Sequence, residues 1–551
     1  MNSSSHPKVC IIGLDGGTFT VLDKWVQAGE MPHLAALMRR GSRGVLHSTI
    51  PPVTGPAWTS MTTGVNPGQH GIYDFFRWDR DCIVPRLARS SDCNVPRLWD
   101  IAGQHGLSVG SFRVPVTFPA WPVNGFMVAG LLTPGAVPGM TWPASLLDEI
   151  APLSADWFLP DDDSVKDADE AGRLLQAQKM NDRALRLVLE RFRPDFFMCV
   201  LAELDPALHH LWPYCTMATD ARDPAAGRAV GEFFRSLDDT IGYMVDFFGE
   251  NAAFFVVSDH GFGPVRRAFR MNNYLAREGF LTVRMGSVHR ARALLSISRR
   301  LKAVLGRLRL LGVARLVLSR CRGLGLLRAG QRSREFAMLA SAVDWRTTLA
   351  YARSQSSTGI FLNVRGRTPQ GAIEPGDERE RALSSLVSAL GRAKDPDTGR
   401  PLVSALARPE QVHKGPYLGE APDIFVGLAE GEVAMETVLG GPLFTKCSRP
   451  ANHRMEGVLV AAGPQIRQGV RLSADILDVA PTALHALGLP VPTYMEGRSL
   501  TELFEEDSLV RQPVRFRSAA LDESRVQPEA HLSDQYGDEA TMRRLRRLGY
   551  M

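Results

Sequence analysis

The chain has 551 residues, 44% of them hydrophobic and 22% charged, which is enough apolar material for a large core and an ordinary charge content. Its net charge of +5 is modest for this length and gives no argument for nucleic-acid binding. Seven scattered cysteines without a Cys-x-x-Cys pair argue against a disulfide framework and favour a reducing, cytoplasmic compartment, and no apolar run is long enough to predict a membrane span.

The first half of the chain alternates between apolar runs and helical patterns. Residues 9–14 form a continuous apolar run that ends at Asp15, which is typical of a buried parallel strand with a carboxylate at its C-terminal end. Further strands are predicted at 107–112, 126–130, 195–201 and 252–257, and helices at 57–63, 168–192 and 231–248. This order predicts an α/β fold with a doubly wound, mostly parallel sheet and functional groups at the C-terminal ends of its strands.

The segment 284–340 interrupts the alternation. Residues 284–334 contain fourteen Lys and Arg and no Asp or Glu, so the rest of the chain has a net charge of −9. Apolar residues between 294 and 308 recur on one helical stripe, which predicts a basic helical insertion over 284–345. Three roles stay open for it: a solvated cap, a wall of the active-site mouth that attracts a polyanion, or peripheral contact with an anionic membrane through 284–334. Aromatic residues do not interleave with the basic ones, so no nucleic-acid partner is expected.

The second half returns to the earlier pattern. Strands are predicted at 349–351, 359–364 and 457–463 and a helix at 478–487. The polar stretch 506–537 lacks periodicity and is expected to be an extended tail, followed by a short helix at 538–548. The chain is therefore divided into a first core part (1–283), the insertion (284–345), a second core part (346–505) and a C-terminal tail (506–551).

Five local clusters carry candidate metal ligands or a nucleophile. They are Asp15; Thr54; Asp205 with His209; Asp259 with His260; and His453. Carboxylate oxygen and imidazole nitrogen suit Zn²⁺ or Mn²⁺, and two such ions roughly 4 Å apart can clamp the attacking and leaving oxygens of a phosphoryl transfer. A threonine hydroxyl is a poor nucleophile unless a base or a metal lowers its pKa. Each cluster alone also has a structural interpretation, such as a turn cap at Asp15, and His210 is expected to be structural.

These clusters, in this order, resemble the type I phosphodiesterase/nucleotide pyrophosphatase branch of the alkaline phosphatase superfamily, and more narrowly a bacterial group described as predicted phosphohydrolases or phosphomutases. The resemblance covers about residues 9–504 and is weakest across 284–340. It implies an alkaline phosphatase-like fold and two divalent metal ions, with Zn²⁺ preferred to Mn²⁺. By motif, one ion would be held by Asp205, His209 and His453. The other would be held by Asp15, Asp259 and His260, with Thr54 as an additional ligand.

The resemblance also implies a reaction. Thr54 would attack phosphorus and form a covalent phosphothreonine intermediate, and the substrate would be a small phosphate ester, with a phosphodiester favoured. A phosphomutase or a phosphomonoesterase on the same two-metal site stays open as an alternative, as does a non-catalytic binding protein with the same fold.

One stretch departs from the resemblance. After His-Gly-Ile, better-studied members have an asparagine that contacts the phosphoryl group, whereas this chain has Asp74 and, three residues later, Arg77. An ionised aspartate cannot donate that hydrogen bond, so Arg77 is the candidate replacement donor. Asp74 and Arg77 are thus predicted substrate contacts, and nucleotide substrates are not secured by the resemblance.

Overall fold

The structure is a computed structural model that describes residues 8–78, 85–153, 166–218, 223–284, 341–368, 370–429, 433–519, 541–542 and 545. The predicted basic insertion lies outside the described residues except at 284 and 341–345, and so does most of the predicted helix at 538–548. None of the helices within these ranges combines the length and the apolar composition that crossing a bilayer requires.

The described strands run from the N-terminal to the C-terminal end in the following order. They are β1 (Lys8–Leu14), β2 (Ser42–His47), β3 (Phe76–Arg77), β4 (Arg86–Leu87), β5 (Val109–Phe112), β6 (Gly125–Val128), β7 (Thr141–Trp142), β8 (Phe196–Leu201), β9 (Ala252–Val257), β10 (Gly261–Pro264), β11 (Arg267–Arg270), β12 (Ala350–Ala352), β13 (Gly359–Leu362), β14 (Val403–Ala407), β15 (Ile424–Leu428), β16 (Val433–Glu436), β17 (Phe444–Lys446), β18 (Ala451–Arg454), β19 (Glu456–Ala462), β20 (Arg471–Asp475), β21 (Val491–Pro492) and β22 (Phe516–Arg517).

The α-helices of the described residues follow the same order. They are α1 (Phe19–Gln27), α2 (Pro32–Arg40), α3 (Thr54–Thr63), α4 (Pro67–His70), α5 (Leu98–Gln104), α6 (Leu147–Ile150), α7 (Asp167–Phe192), α8 (Leu204–Cys215), α9 (Pro224–Phe248), α10 (Met271–Arg277), α11 (Asp377–Gly391), α12 (Pro409–Val412), α13 (Val479–Ala486) and α14 (Glu506–Arg511).

A nine-stranded sheet in the order β20-β2-β19-β9-β1-β8-β5-β6-β7 forms the centre of the molecule. The five strands from β9 to β6 in that order are parallel to one another, and β19 and β7 run antiparallel to their neighbours. The predicted α/β fold with a mostly parallel sheet is confirmed. The direction of β19 is a finding that its continuous apolar sequence did not indicate.

Helices cover both faces of this sheet, which explains why its central strands are continuous apolar runs. Alternate residues of β1 pack into two different hydrophobic clusters. Cys10, Ile12 and Leu14 face the cluster that includes α7 and α9, whereas Val9 and Ile11 face the cluster that includes residues of α3, α5 and α13. Polar groups at the ends of these strands are therefore held by a core that is packed from both sides.

A second, four-stranded sheet in the order β12-β13-β15-β14 is antiparallel throughout and packs with α10 and α11 in a separate hydrophobic cluster. The predicted second core part, 346–505, is thus distributed between this second sheet and the central sheet, to which β19 and β20 belong. The boundaries between the four predicted segments remain a prediction.

The polar stretch after residue 505 begins with ordered elements, so the expectation of an extended tail is wrong for its first part. It contains α14, and β22 pairs with β21. Leu509 and Val514 pack against the cluster that α13 contributes to. Two apolar contacts suffice to dock the segment, but they are too few to produce a visible periodicity in the sequence.

Candidate metal centre

Three neighbouring parallel strands end at the same level and present carboxylates beyond their ends. In the register of the sheet, Gly13 of β1 lies opposite Val257 of β9, and Leu14 lies opposite Leu201 of β8. Asp15 follows β1 directly, Asp259 follows β9 after one residue, and Asp205 lies in the first turn of α8 after β8. Three of the predicted ligands therefore meet at one edge of the sheet because their strands are in register.

Thr54 is the first residue of α3, three residues before the predicted start of that helix. Pro56 lies in the first turn, where the absence of a backbone N–H costs nothing. All ten residues of α3 are buried, and the hydroxyls of Thr59, Thr62 and Thr63 bond within the helix, as from Thr59 Oγ1 to the carbonyl oxygen of Gly55 at 2.8 Å. Thr54 Oγ1 lies 3.3 Å from His260 Nε2. The nucleophile candidate is thus fixed at the N-terminus of a rigid, fully enclosed helix.

His453 reaches the same edge through a small two-stranded sheet. β10 begins directly after His260 and pairs with β18, so that Phe262 lies opposite His453. The His453 ring stacks on the His260 ring, with ring centroids 3.5 Å apart. Its Nε2 lies 3.2 Å from Asp205 Oδ1 and 3.1 Å from Nε2 of His209. Pairing of β10 with β18 therefore joins residues that are almost two hundred positions apart in the sequence.

The hydrogen bonds of two of these rings fix where their lone pairs point. Nδ1 of His260 lies 3.2 Å from the carbonyl oxygen of Gly261, and Nδ1 of His453 lies 2.9 Å from that of Pro52. A carbonyl oxygen only accepts, so each Nδ1 carries the hydrogen and each Nε2 presents a lone pair. Those lone pairs face carboxylate oxygens at 3.2 Å, of Asp259 and Asp205 respectively. An imidazole lone pair and a carboxylate oxygen both only accept hydrogen bonds, so their close approach fits a site for a bound cation.

Burial lowers the pKa values of the histidine rings, as metal binding requires, but raises that of Asp15, which therefore needs a nearby cation to stay ionised. Desolvation lowers the pKa of His260 to about 4 and that of His453 to about 3, and it lowers the pKa of His209 well below its usual value, so the rings are neutral at pH 7. Desolvation, followed by repulsion from Asp259 and Asp205, raises the pKa of the Asp15 carboxyl well above its usual value. Three buried carboxyl groups in one place are costly without a compensating positive charge.

Two overlapping groups of ligand atoms lie within 4.8 Å of one another among the described residues. One contains Asp205, His209 and His453, and the other contains Asp15, Asp205 and His260. The first group has the composition predicted for one ion. The second differs from the prediction because it includes Asp205, whereas Asp259 enters only through its Oδ2 atom, 3.2 Å from His260 Nε2. Asp205 therefore lies between the two groups.

Two carboxylate oxygens without hydrogen-bond partners indicate that a metal ion fits this centre. Asp15 Oδ1 and Asp259 Oδ2 are buried and have no hydrogen-bond partner among the described residues. Asp259 Oδ1, in contrast, accepts from the backbone N–H of Gly16 at 3.1 Å. Gly16 has φ +73°, and a Cβ there would lie 2.4 Å from the Phe262 ring, so only glycine fits this turn. The turn holds Asp259 and leaves its second oxygen available for an ion.

A buried ion pair next to this centre was not predicted from the sequence. Arg113, at the end of β5, donates from Nη1 to Glu203 Oε1 at 2.9 Å, and Asn181 Nδ2 donates to the same oxygen at 2.7 Å. Glu203 is completely buried and precedes Asp205 by two residues. The available signal was a charged residue directly after the apolar run 109–112. His210, expected to be structural, pairs with Glu170 at 2.9 Å, outside both ligand groups.

The predicted substrate contacts Asp74 and Arg77 lie between α4 and β4. The Asp74 carboxylate is buried and accepts hydrogen bonds from the hydroxyls of Ser354 and Ser356 and from the backbone N–H of Phe75. Arg77 Nη2 lies 3.0 Å from Glu420 Oε2. The structure thus joins both residues to the second part of the chain, and their contact with a phosphoryl group remains a prediction.

Most residues of this centre lie in a part of the chain that matches a known protein family. The family model described as type I phosphodiesterase / nucleotide pyrophosphatase matches residues 9–311, which is more than half of the chain and includes every predicted ligand except His453. A search of the curated proteins finds no match.

Two solved structures are similar to the chain over most of its length. One is human ectonucleotide pyrophosphatase / phosphodiesterase 5, at 14% identity and a TM-score of 0.47, covering 91% of this chain and 100% of that chain. The other is the murine protein of the same name in an inactive form in complex with AMP, at 14% identity and a TM-score of 0.48, with the same coverage. These values are too low to transfer a substrate.

Proposed function

The chain belongs to the type I phosphodiesterase / nucleotide pyrophosphatase family, and we propose that it hydrolyses a phosphodiester through a covalent intermediate on Thr54, at a centre for two divalent ions. Family membership makes it a hydrolase of phosphoric esters. The finer statements, namely the nucleophile, the two ions and the preference for a diester, are the proposal.

A single observation carries the proposal. Buried acceptors face one another beside Thr54, whose Oγ1 lies 3.3 Å from His260 Nε2. The Nε2 lone pairs of His260 and His453 face carboxylates, and Asp15 Oδ1 and Asp259 Oδ2 have no hydrogen-bond partner among the described residues. Such an arrangement is costly for the protein alone and becomes favourable when cations occupy it. Imidazole nitrogen and carboxylate oxygen form the donor set of Zn²⁺, which is why Zn²⁺ is preferred to Mn²⁺ here.

The residues of the chain then have distinct roles. Asp205, His209 and His453 would hold one ion, and Asp15, Asp259 and His260, together with Thr54, would hold the other. Bound there, the ions would lower the pKa of the Thr54 hydroxyl and offset the negative charge of the phosphoryl oxygens. The His260 and His453 rings are each oriented by the bond from Nδ1–H to a backbone carbonyl.

The first step exchanges one ester bond for another. Thr54 Oγ1 gives its proton to solvent and forms a bond to phosphorus while the bond from phosphorus to the leaving oxygen breaks, and that oxygen departs with the electron pair. The N-terminus of α3 would direct backbone N–H groups and the positive end of the helix dipole toward the phosphoryl oxygens of a substrate attacked by Thr54. In the second step water attacks phosphorus and releases Thr54, so the atoms of one water molecule are divided between the two products.

The proposal is tested by removing and restoring the metal. Protein treated with a chelator is expected to lose hydrolysis of methyl 4-nitrophenyl phosphate and to regain it with Zn²⁺ and, less well, with Mn²⁺. A 4-nitrophenyl monoester assayed in parallel separates a diesterase from a monoesterase. If fully folded protein takes up no Zn²⁺ by elemental analysis, the binding-protein alternative is favoured and the two-metal proposal is wrong.

The phosphomutase alternative differs in where the phosphoryl group goes. Hydrolysis in ¹⁸O-labelled water places one labelled oxygen in the phosphate product, whereas transfer back to an organic acceptor places none. The proposal expects label in the product. Unlabelled product would assign the same site to a mutase.

A further inference from the structure

A cavity of about 800 Å³ lies between the segment 71–78 and the second sheet. Its walls include Asp74 and Trp78 on one side and Tyr351, Arg353 and Phe361 on the other. The volume lies in the range of small-molecule binding sites. None of the seven predicted metal ligands lines it, so it is a different compartment from the metal centre.

The cavity is nevertheless adjacent to the nucleophile. A Cβ added at Gly55, the residue after Thr54, would lie 3.5 Å from the carbonyl oxygen of Asp74 and 3.4 Å from the Phe75 ring. The wall formed by Asp74 therefore packs directly against the first turn of α3. A group bound in the cavity would therefore lie beside the wall that contacts the helix carrying Thr54.

The two walls of the cavity are fixed to one another. Asp74 accepts hydrogen bonds from Ser354 and Ser356, which follow β12, and Nε2 of His413 lies 2.7 Å from the carbonyl oxygen of Ile50, just before α3. These bonds tie the second part of the chain to both sides of the helix that carries Thr54. The cavity is thus preformed, which favours binding because little ordering is needed.

Positive charge dominates the lining. Five arginines and three carboxylates face the cavity among the described residues. Asp423 pairs with both Arg367, at 2.6 Å, and Arg379, at 2.8 Å, and Arg77 pairs with Glu420. These contacts neutralise part of the charge within the protein itself.

Arg353 differs from the other arginines. It has no carboxylate partner among the described residues, and its guanidinium donates to the Tyr351 hydroxyl at 2.8 Å. It lies 4.1 Å from the centroid of the Phe361 ring and 5.3 Å from that of Trp78. A half-buried guanidinium held between aromatic rings, with part of its donor edge unmatched by an anion, is suited to bind a carboxylate or a phosphate.

We propose that this cavity binds the leaving group of the substrate, and that this group is an anion attached to a planar ring. Arg353 would bind the anion, and the aromatic side chains of the cavity would pack against the ring. The inference rests on the proposed function, since it assigns a leaving group to the reaction at Thr54. It narrows the substrate to a diester whose departing half carries its own negative charge.

Binding of the leaving group alone tests the proposal without turnover. The probes are 5-hydroxy-2-nitrobenzoate, its phosphonate analogue and its carboxamide, titrated into the full-length protein by calorimetry at a pH where the phenol is protonated, so that the carboxamide is neutral and the other two are anions. We expect either or both anions to bind roughly tenfold or more tightly than the carboxamide, because only an anion would form a charged hydrogen bond with Arg353. Comparing the two anions distinguishes a carboxylate site from a phosphate site.

Substitution of Arg353 locates the effect. In Arg353→Gln the preference for the anions over the carboxamide is expected to disappear, while the matched control Arg346→Gln, at an exposed position beside the cavity wall, is expected to keep it. Equal binding of all three probes by the wild type, or an unchanged preference in Arg353→Gln, would overturn the proposal.

Turnover separates this proposal from the proposed function. Methyl 3-carboxy-4-nitrophenyl phosphate and its carboxamide analogue differ only in the charge of the leaving group. Hydrolysis of both diesters with no advantage for the carboxylate refutes the cavity assignment and leaves the function intact. Selective binding of the anions without hydrolysis of either diester supports the cavity and refutes the diesterase.

Discussion

The metal centre lies on one side of α3, and the hydrogen-bonded group of Asp74, Phe75, Ser354 and Ser356, called the Asp74 cluster, lies on another. The hydrogen bonding of the two groups is opposite. At the metal centre, acceptors face acceptors, and buried oxygens of Asp15 and Asp259 have no partner among the described residues. In the Asp74 cluster, the hydroxyls of Ser354 and Ser356 and the N–H of Phe75 satisfy a single carboxylate. At these two places, facing acceptors without hydrogen-bond partners fit an external ion, whereas the satisfied carboxylate of Asp74 joins two parts of the chain.

Of the substitutions that test this comparison, Thr54→Ala is expected to change activity most. Thr54→Ala removes the nucleophile, and kcat for a phosphodiester is expected to fall on the order of 10⁴-fold or more. Thr62→Ala in the same helix is the control, because the bonds of its hydroxyl to described residues stay within α3, to Trp58 and Thr59. Steady-state kinetics and a thermal unfolding scan check both variants. Activity of Thr54→Ala near that of the wild type would remove this residue from the mechanism.

Substitution of two adjacent histidines compares a proposed metal ligand with a residue outside both ligand groups. His209→Gln is expected to weaken binding of Zn²⁺ on the order of a hundredfold or more, since it removes a ligand from the group with Asp205 and His453. His210→Gln removes the pairing with Glu170, which lies outside both ligand groups, and is expected to leave the metal content unchanged. Competition with a chromogenic chelator measures both affinities. Equal losses in the two variants would contradict the assigned ligand group.

The Asp74 cluster predicts a pH effect on stability. Burial raises the pKa of Asp74 from 3.8 to about 6, so the folded protein keeps this proton while the unfolded chain has already lost it. The stability that the protonated carboxyl contributes is complete below about pH 4 and is lost as the pH rises through 6, by up to about 3 kcal/mol.

Asp74→Asn is expected to abolish this dependence. Urea unfolding of metal-free protein between pH 4 and 8 gives the difference in unfolding free energy between wild type and variant, which should shift in favour of the variant as the pH rises. Asp507→Asn, at an exposed position of α14, is the control. A difference that stays constant with pH would show that Asp74 is ionised throughout.

The smallest effect is expected at Arg77. Its ion pair with Glu420 involves side chains that are 20% and 45% exposed, and such pairs contribute less than about 1 kcal/mol. Arg77→Gln should therefore lower stability slightly and change kcat/KM by only a few fold. A hundredfold loss of kcat/KM without a change in stability would instead establish the predicted contact between Arg77 and the phosphoryl group.

The sequence predicts the central sheet and the site for the same reason. Apolar runs that end in a carboxylate identify both a buried strand and its functional end, and the register of β1, β8 and β9 brings Asp15, Asp205 and Asp259 together. Local sequence also places His209 one helical turn after Asp205. These features depend on neighbouring residues, so they can be derived from the sequence.

Contacts between residues that are far apart in the sequence cannot be predicted from such local patterns. No local pattern indicates that β18 pairs with β10, that β19 runs antiparallel, or that Asp74 meets serines about 280 positions later. The start of α3 at Thr54 was missed because a proline in the first turn resembles a helix breaker. The sharing of Asp205 between the two ligand groups depends on side-chain geometry that spacing does not reveal.

The central claim, covalent catalysis by Thr54, has one most direct test. Wild-type protein is mixed with methyl 4-nitrophenyl phosphate, quenched with acid within the first turnover and digested for mass spectrometry. The account predicts a methylphosphoryl group on the peptide that contains Thr54, formed together with a burst of one equivalent of nitrophenolate. Rapid hydrolysis without a burst and with an unmodified Thr54 peptide would contradict it and indicate direct attack by water.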